Sequence, residues 1–168
     1  MRLILPLAEA PIFVHSNLPT GCLTEREVFS LHSPVFATLC WGPSASAPSL
    51  ESVEKRLAQT VAGWRAWAKT CALPTFAPSA VLRSALCLKL HVSEDSGAIV
   101  AAATTSIPEA MGTVRTWDYR YCWLRDAAFV VEALRRLSHL AEGERFIDFL
   151  RRTVEVKGLQ PVYGIGGE

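Results

Sequence analysis

The segment from Trp117 to Asp126 concentrates the residues of this chain that could do chemistry, and it reads WDYRYCWLRD. A buried core segment would not combine so many half-polar aromatic rings with so many charges, because each buried charge needs a partner. The mixture suits a sugar, whose C–H face stacks on a ring while its hydroxyls bond to a carboxylate and a guanidinium. Arg125 and Asp126 fall where a helix is predicted to begin, so their side chains could line a pocket floor.

The residues of this segment leave two alternative roles open. Adjacent Arg and Asp at a helix start often form only a cap and a surface pair. An aromatic cluster can also stack on single-stranded nucleic acid. The second role is disfavoured because 17 basic residues are balanced by 16 acidic ones, for a net charge of +1. Phosphate binding needs a basic footprint, so no nucleic-acid partner is predicted.

The cysteines and histidines predict neither a metal site nor a cofactor. Five Cys and four His are scattered along the chain without a CxxC pair. Reduced thiols are typical of a cytoplasmic protein. No membrane association is predicted, because the longest charge-free stretch, 28–50, contains three prolines and the apolar N-terminal run is too short.

The elements that must position the aromatic segment divide into a β-type first quarter and a helical remainder. Segments 28–32 and 35–41 resemble two strands, and the Pro/Ser-rich stretch 42–48 resembles a boundary. Ser49 is a predicted N-cap for a long helix, and a second helix is predicted over 78–91. The apolar positions of the first helix share one face: Leu50, Val53, Leu57, Val61, Trp64 and Trp67.

The last seventy residues predict a helical hairpin. The apolar run 97–103 could be a buried strand or a buried helix, and periodicity does not decide between them. Helices are predicted over 124–140 and 144–156, with a turn around Gly143 between them and Gly158 as the terminator. The inward side chains predicted for the last helix are Phe146, Ile147, Leu150 and Val154.

Four blocks in order carry a family resemblance. They are 82–86, 97–109, 117–127 and 159–165, and together they resemble the signature blocks of glycoside hydrolase family 15. That family contains glucoamylases, glucodextranases and bacterial trehalases. The resemblance runs from about Val28 to the last residue.

The resemblance implies a fold: mostly α with an N-terminal β segment. It implies the end of a β-sandwich in 1–43, a linker and linker helix in 44–76, and in 77–168 the first helices of an incomplete (α/α)6 barrel. A closed barrel of this type has twelve helices. The chain is therefore expected to be an N-terminal fragment of a larger cytoplasmic enzyme, with uncovered helix faces through which it could self-associate.

The resemblance also implies binding roles. The family pattern places Trp123, Arg125 and Asp126 in the pocket for a terminal glucose, and Tyr119 under the sugar ring near the developing oxocarbenium ion. The implied partner is an α-glucoside or trehalose, and no cofactor is implied.

No catalytic residue is expected in this chain. Inverting glycosidases place an acid and a base roughly 6.5–9.5 Å apart, and family 15 enzymes use two glutamates that the family order puts beyond Glu168. Glu109, Asp118 and Glu132 match no such position. The 168-residue chain alone is therefore predicted to be inactive, although its family hydrolyses terminal α-glucosidic bonds.

Two further functions stay open. The aromatic and Arg-Asp cluster could serve a non-catalytic carbohydrate-binding remnant. The amphipathic helices could instead form an interaction module that binds no ligand, which would leave the aromatic cluster without a role.

Overall fold

A computed structural model describes residues 2–5, 12–25, 28, 30–41, 48–104, 112 and 117–168. The chain divides into two compact units, residues 1–65 and 66–168. Helices dominate, accompanied by small antiparallel strand pairings. The coarse prediction of an α-rich chain with an N-terminal β segment is therefore confirmed.

The first unit contains a three-stranded antiparallel sheet in the order β1-β2-β3. Its strands are β1 (Arg2–Leu5), β2 (Ile12–Ser16) and β3 (Ala37–Trp41). In the central strand, Phe13 and His15 are buried, and they lie opposite Cys40 and Thr38 of β3. A short helix α1 (Thr20–Thr24) follows β2.

The strand predicted over 28–32 is wrong: its described residues form no strand, and Val28 and Leu31 are exposed. The second predicted strand is shorter than 35–41 and begins at Ala37. The residue before β3, Phe36, is not paired as a strand residue and is held by side chains at the end of β2. Ser16 Oγ donates to the Phe36 carbonyl at 2.6 Å, and the Asn17 side chain accepts from the Phe36 N–H at 2.9 Å. Pairing with the distant β2, which the sequence pattern does not reveal, sets where β3 starts.

Helix α2 (Leu50–Lys69) begins where the sequence predicts. Ser49 Oγ accepts from the Ser52 N–H at 3.2 Å, which confirms the N-cap. Within the described chain, the helix has no fully buried residue; on its predicted apolar face Leu57 and Val61 are exposed, whereas Trp67 is half-buried against the core of the second unit. Most of the linker at 42–48 lies outside the described residues.

Helix α3 (Pro78–Leu90) confirms the second predicted helix, with Pro in its first turn.

The apolar run 97–103 is neither of the two expected elements. It leaves α3 through a tight turn, forms one bridge between Ile99 and Val92, and continues as irregular chain. Gly97 has φ +84°, and a Cβ there would collide with the Arg145 backbone, so the turn requires glycine.

Helices α4 (Leu124–Arg136) and α5 (Leu140–Lys157) form the predicted pair, but the turn is elsewhere. The chain reverses at 137–139, where Ser138 adopts φ 70°. Gly143 lies inside α5, buried against Val131 of α4, because a close helix crossing also requires a small residue. The inward placement of Ile147 is likewise wrong, since it is 61% exposed and Phe149 takes the core position. Gly158 caps α5 with φ 74°, as predicted.

Two short strands join the aromatic segment to the end of the chain. β4 (Cys122–Trp123) pairs antiparallel with β5 (Val162–Tyr163), and Cys122 lies opposite Tyr163. The core of the second unit gathers around this pair and the helical hairpin: Val92, Ala98, Ile99, Cys122, Ala127, Leu134, Phe146, Phe149 and Tyr163. Within the described ranges, no helix combines the length and apolarity that crossing a membrane requires.

Candidate functional site

The aromatic segment forms a loop that is fastened to the apolar run. The Ala102 N–H donates to the Tyr119 carbonyl at 2.8 Å, and the Ala101 N–H donates to the Tyr121 carbonyl at 3.1 Å. The irregular 97–103 stretch therefore uses its backbone donors to hold the loop. After the loop, the β4 pairing fixes Cys122 and Trp123 beside β5.

Trp123 is the centre of a ring cluster. Its indole Nε1–H donates to the Asp118 carbonyl at 2.9 Å. The Trp117 ring meets it edge-on at 5.9 Å with an interplanar angle of 89°. The Tyr119 ring lies 5.9 Å away with a tilt of 45°. Two neighbouring rings and one hydrogen bond thus fix the plane of Trp123.

Asp118 and Arg120 form a compact ion pair inside the loop. Asp118 Oδ2 accepts from Arg120 Nη2 at 2.6 Å, and Asp118 Oδ1 accepts from the Arg120 backbone N–H at 2.9 Å. The side-chain and backbone hydrogen bonds from Arg120 lower the pKa of Asp118. The carboxylate is therefore ionised near neutral pH and is not a proton donor.

Arg125 and Asp126 lie in the first turn of α4, directly after Trp123. Arg125 Nη2 is 3.2 Å from Asp126 Oδ2, and the two side chains are 69% and 33% exposed. An acidic side chain here is favoured by the helix dipole, and both groups have capacity for further hydrogen bonds. Of the four predicted site residues, Tyr119 contacts Trp123 and Arg125 contacts Asp126. Within residues 117–126, no hydrogen bond or ring contact joins the first pair to the second.

An open cavity of about 250 Å³ lies beside Trp123. Its walls include Tyr121, Tyr163 and the carboxylate-bearing Asp118 and Glu168. The Tyr163 hydroxyl donates to the Gly158 carbonyl at 2.5 Å and so ties β5 to the end of α5. The sequence alone does not place Tyr163 at this site, because only the β4–β5 pairing brings it there.

Residues 75–168 match the family described as glycosyl hydrolases family 15. This chain belongs to that family. The matched region contains the whole aromatic loop, both helices of the hairpin and β5, so the family resemblance of the four sequence blocks is confirmed.

Curated relatives of this family 15 chain are named trehalases. The chain is 46% identical over 92 residues to the trehalase of Thermoplasma acidophilum, covering 55% of this chain and 16% of that one. It is 36% identical over 143 residues to the trehalases of Mycolicibacterium smegmatis and Mycobacterium tuberculosis, covering 80% of this chain and 21% of each relative. The chain thus spans about a fifth of the length of these proteins. No solved structure matches it significantly.

A second polar cluster in this family 15 chain lies where the end of α2 meets the helical hairpin. The Trp67 indole N–H donates to Glu142 Oε1 at 2.8 Å, and the Trp67 ring stacks on His139 at 4.0 Å. Cys71 Sγ is 3.0 Å from His139 Nε2, and Lys89 Nζ is 3.2 Å from Glu142 Oε1. No sequence motif points to this cluster, because its members come from three separate parts of the chain.

The protonation states of the cluster make it structural rather than nucleophilic. Burial, and then the nearby Glu142 charge, raise the pKa of Cys71. Burial lowers the pKa of His139, so a neutral imidazole lies beside a protonated thiol near neutral pH. Burial opposes ionisation of Glu142, but hydrogen bonds from Trp67, its own backbone and Lys89 outweigh it, so its pKa is lowered. In the described part of the chain, no group of His, Cys, Asp and Glu side chains could hold a metal ion.

Two further acidic residues, Glu132 and Glu109, were considered as proton donors in the sequence. Glu132 lies on α4, where hydrogen bonds from Arg135 and Arg136 lower its pKa to about 2. It stays ionised near neutral pH and therefore does not suit a proton donor. Glu109 lies outside the described residues.

Proposed function

We propose that this chain supplies part of the sugar-binding site of an inverting glycoside hydrolase that acts on trehalose or another terminal α-glucoside. The observation that carries this proposal is the Trp123 ring, fixed by two neighbouring rings and an indole hydrogen bond directly before the Arg125–Asp126 helix start. The family membership and the trehalase names of the relatives support the substrate class.

The proposed roles follow from chemistry. Trp123 and Tyr119 present ring faces for the C–H surface of a glucose unit. Asp126 accepts from vicinal hydroxyls, and the Arg125 guanidinium donates to them. The cavity of about 250 Å³ beside these residues is lined by Trp123 but not by Tyr119, Arg125 or Asp126.

The proposal assigns binding, and not proton transfer, to these residues. Asp118 and Glu132 are held ionised by arginines, so neither suits a general acid. The two catalytic glutamates are proposed to lie outside 1–168. We therefore expect no glucose release when the purified 168-residue chain is incubated with trehalose or maltooligosaccharides. Release that is lost in Asp126→Ala would contradict this assignment.

The wider architecture remains part of the proposal. We assign 1–43 to a β-sandwich segment, 44–76 to a linker and linker helix, and 77–168 to the start of an (α/α)6 barrel. The exposed apolar side chains of the helices, Leu57 and Phe129 among them, support self-association of a cytoplasmic chain. Sedimentation velocity across a concentration series tests this, and a monomer at all concentrations would count against it.

The binding experiment is a trehalose titration followed by tryptophan fluorescence and calorimetry. We expect saturable binding in the millimolar range, weakened about tenfold or more in Asp126→Asn, since hydrogen bonds to a charged group contribute roughly 1.5–3 kcal/mol. Glu132→Gln is the matched control, because it removes a carboxylate from the same helix without touching the loop. Absence of saturable binding by the wild-type chain, or equal loss in both variants, would overturn the proposal.

A further inference from the structure

We propose that Asp118 and Arg120 are positioning residues that set the orientation of the Trp123 ring for the sugar. Neither residue belongs to the binding set named above. The inference rests on the proposed function, because it takes Trp123 as the stacking platform. The Asp118 carboxylate accepts hydrogen bonds from both the backbone and the side chain of Arg120. We call this Asp118–Arg120 arrangement the clamp.

The clamp closes the loop in two ways. Asp118 Oδ1 accepts from the Arg120 backbone N–H at 2.9 Å, which forms a tight side-chain turn over two residues. The same carboxylate accepts from Arg120 Nε at 3.0 and 3.2 Å and from Nη2 at 2.6 Å. A planar guanidinium on a carboxylate through two parallel bonds fixes direction as well as distance.

The clamp reaches Trp123 through the Asp118 backbone. The Asp118 carbonyl accepts the Trp123 indole N–H at 2.9 Å, so the residue that carries the clamp also carries the acceptor. Any rotation of the Asp118 peptide would move that acceptor away from the ring. The loop beyond it is held independently, by the Ala102 donor on the Tyr119 carbonyl and the Ala101 donor on the Tyr121 carbonyl.

Stability alone does not account for the clamp. The Arg120 side chain is 56% exposed and that of Asp118 is 31% exposed. Exposed ion pairs contribute little to folding free energy, because water screens them and ordering the side chains costs entropy. A fixed aromatic platform, in contrast, avoids the ordering cost that a mobile ring would incur on binding. The arrangement therefore fits preorganisation of the site better than support of the fold.

The test uses Asp118→Asn, Asp118→Ala and Arg120→Ala in the 168-residue chain, with Glu132→Gln as an ion-pair control on α4. The first readout is the indole N–H resonance of Trp123 in ¹⁵N spectra, identified among the five tryptophans by its loss in Trp123→Phe. The second readout is trehalose affinity. Circular dichroism checks that each variant retains its helices.

The expected results are graded. Asp118→Ala should shift the Trp123 indole resonance, speed its solvent exchange about tenfold, and weaken trehalose binding roughly fivefold. Asp118→Asn and Arg120→Ala keep part of the turn and should give smaller shifts in the same direction. Glu132→Gln should leave both readouts unchanged, because its carboxylate does not touch the loop.

The outcomes separate the two proposals. If the wild-type chain binds trehalose and Asp118→Ala binds it equally, with an unmoved indole resonance, the positioning role is overturned. If the indole resonance moves but the wild-type chain binds no trehalose, the clamp on Trp123 is supported and the proposed function fails.

Discussion

Replacing Gly143 by alanine tests the helix crossing that defines the second unit. Gly143 lies in the first turns of α5, and a Cβ built there would lie 3.1 Å from Val131 Cγ1 on α4. The optimum for two carbon atoms is about 3.5–4.0 Å, so one of the helices must give way. Val131 has little freedom to turn aside, because a β-branched side chain in a helix strongly prefers one rotamer.

Two opposing free energies set the magnitude. Alanine in place of glycine in a helix interior stabilises by about 1 kcal/mol, while overpacking typically costs about 1–3 kcal/mol. Since the contact falls short by only a few tenths of an ångström, we expect a net destabilisation of about 1 kcal/mol. The double variant Gly143→Ala with Val131→Ala should relieve the clash, giving a favourable coupling of about 1–2 kcal/mol.

The chain offers a matched control for this experiment. Gly63 lies inside α2, and a Cβ there meets nothing within 4 Å. Gly63→Ala should therefore gain helix content and about 1 kcal/mol of helix stability. Both variants are compared by urea unfolding followed in the far-ultraviolet circular dichroism. Stabilisation of the same size at both glycines, or no rescue by Val131→Ala, would refute the close crossing.

Three further predictions concern titration and thiol chemistry. Burial lowers the pKa of His139 below its ordinary 6.5, so the unfolded chain binds the proton at a higher pH than the folded chain does. The contribution of His139 to the free energy of unfolding is therefore complete above about pH 6.5 and falls as the pH drops below that value. Urea midpoints measured from pH 8 to pH 5 check this, and the decline should shrink in His139→Gln. The Cys122 thiol, fully buried and with its pKa raised by burial, should resist alkylation in the native chain, whereas the exposed Cys87 should react within minutes. Mass spectrometry of alkylated peptides resolves the two, and fast labelling of Cys122 would contradict the packing. Glu132, with its pKa lowered to about 2 by hydrogen bonds from two arginines, should stay ionised down to strongly acidic pH, which a ¹³C-detected titration of its carboxyl measures. A midpoint near the ordinary 4.5 would show that those hydrogen bonds do not form in solution.

Features that depend on neighbouring residues were predictable from the sequence. Ser49 caps α2 and Gly158 ends α5, because both act on backbone groups within a few positions of themselves. The helical hairpin follows from its periodic apolar residues. The position of the turn could not be predicted, because Ser138 adopts a left-handed conformation that is uncommon for serine.

Features that depend on distant partners were not predictable. The segment 28–32 has strand-forming residues but no partner strand among the described residues, while β2 lies in a stretch with no predicted strand and yet forms the sheet centre. The residues of the candidate site are named by the family resemblance, whereas the contacts of Asp118 and Tyr163 with it arise from a loop closure and a strand pairing. At Gly143 the sequence predicts a turn, whereas the structure has a close helix crossing, because glycine is suited to both.

The β4–β5 pairing makes the aromatic loop depend on the far end of the helical hairpin. Cys122 and Tyr163 flank the entire α4–α5 hairpin, so their pairing encloses both helices in one loop of the chain. Closing so long a loop costs chain entropy, which the packing of the helices inside it offsets. We expect a protease cut near Gly158 to release β5 from β4 and so remove one of the contacts that hold Cys122 and Trp123, while α4 and α5 persist.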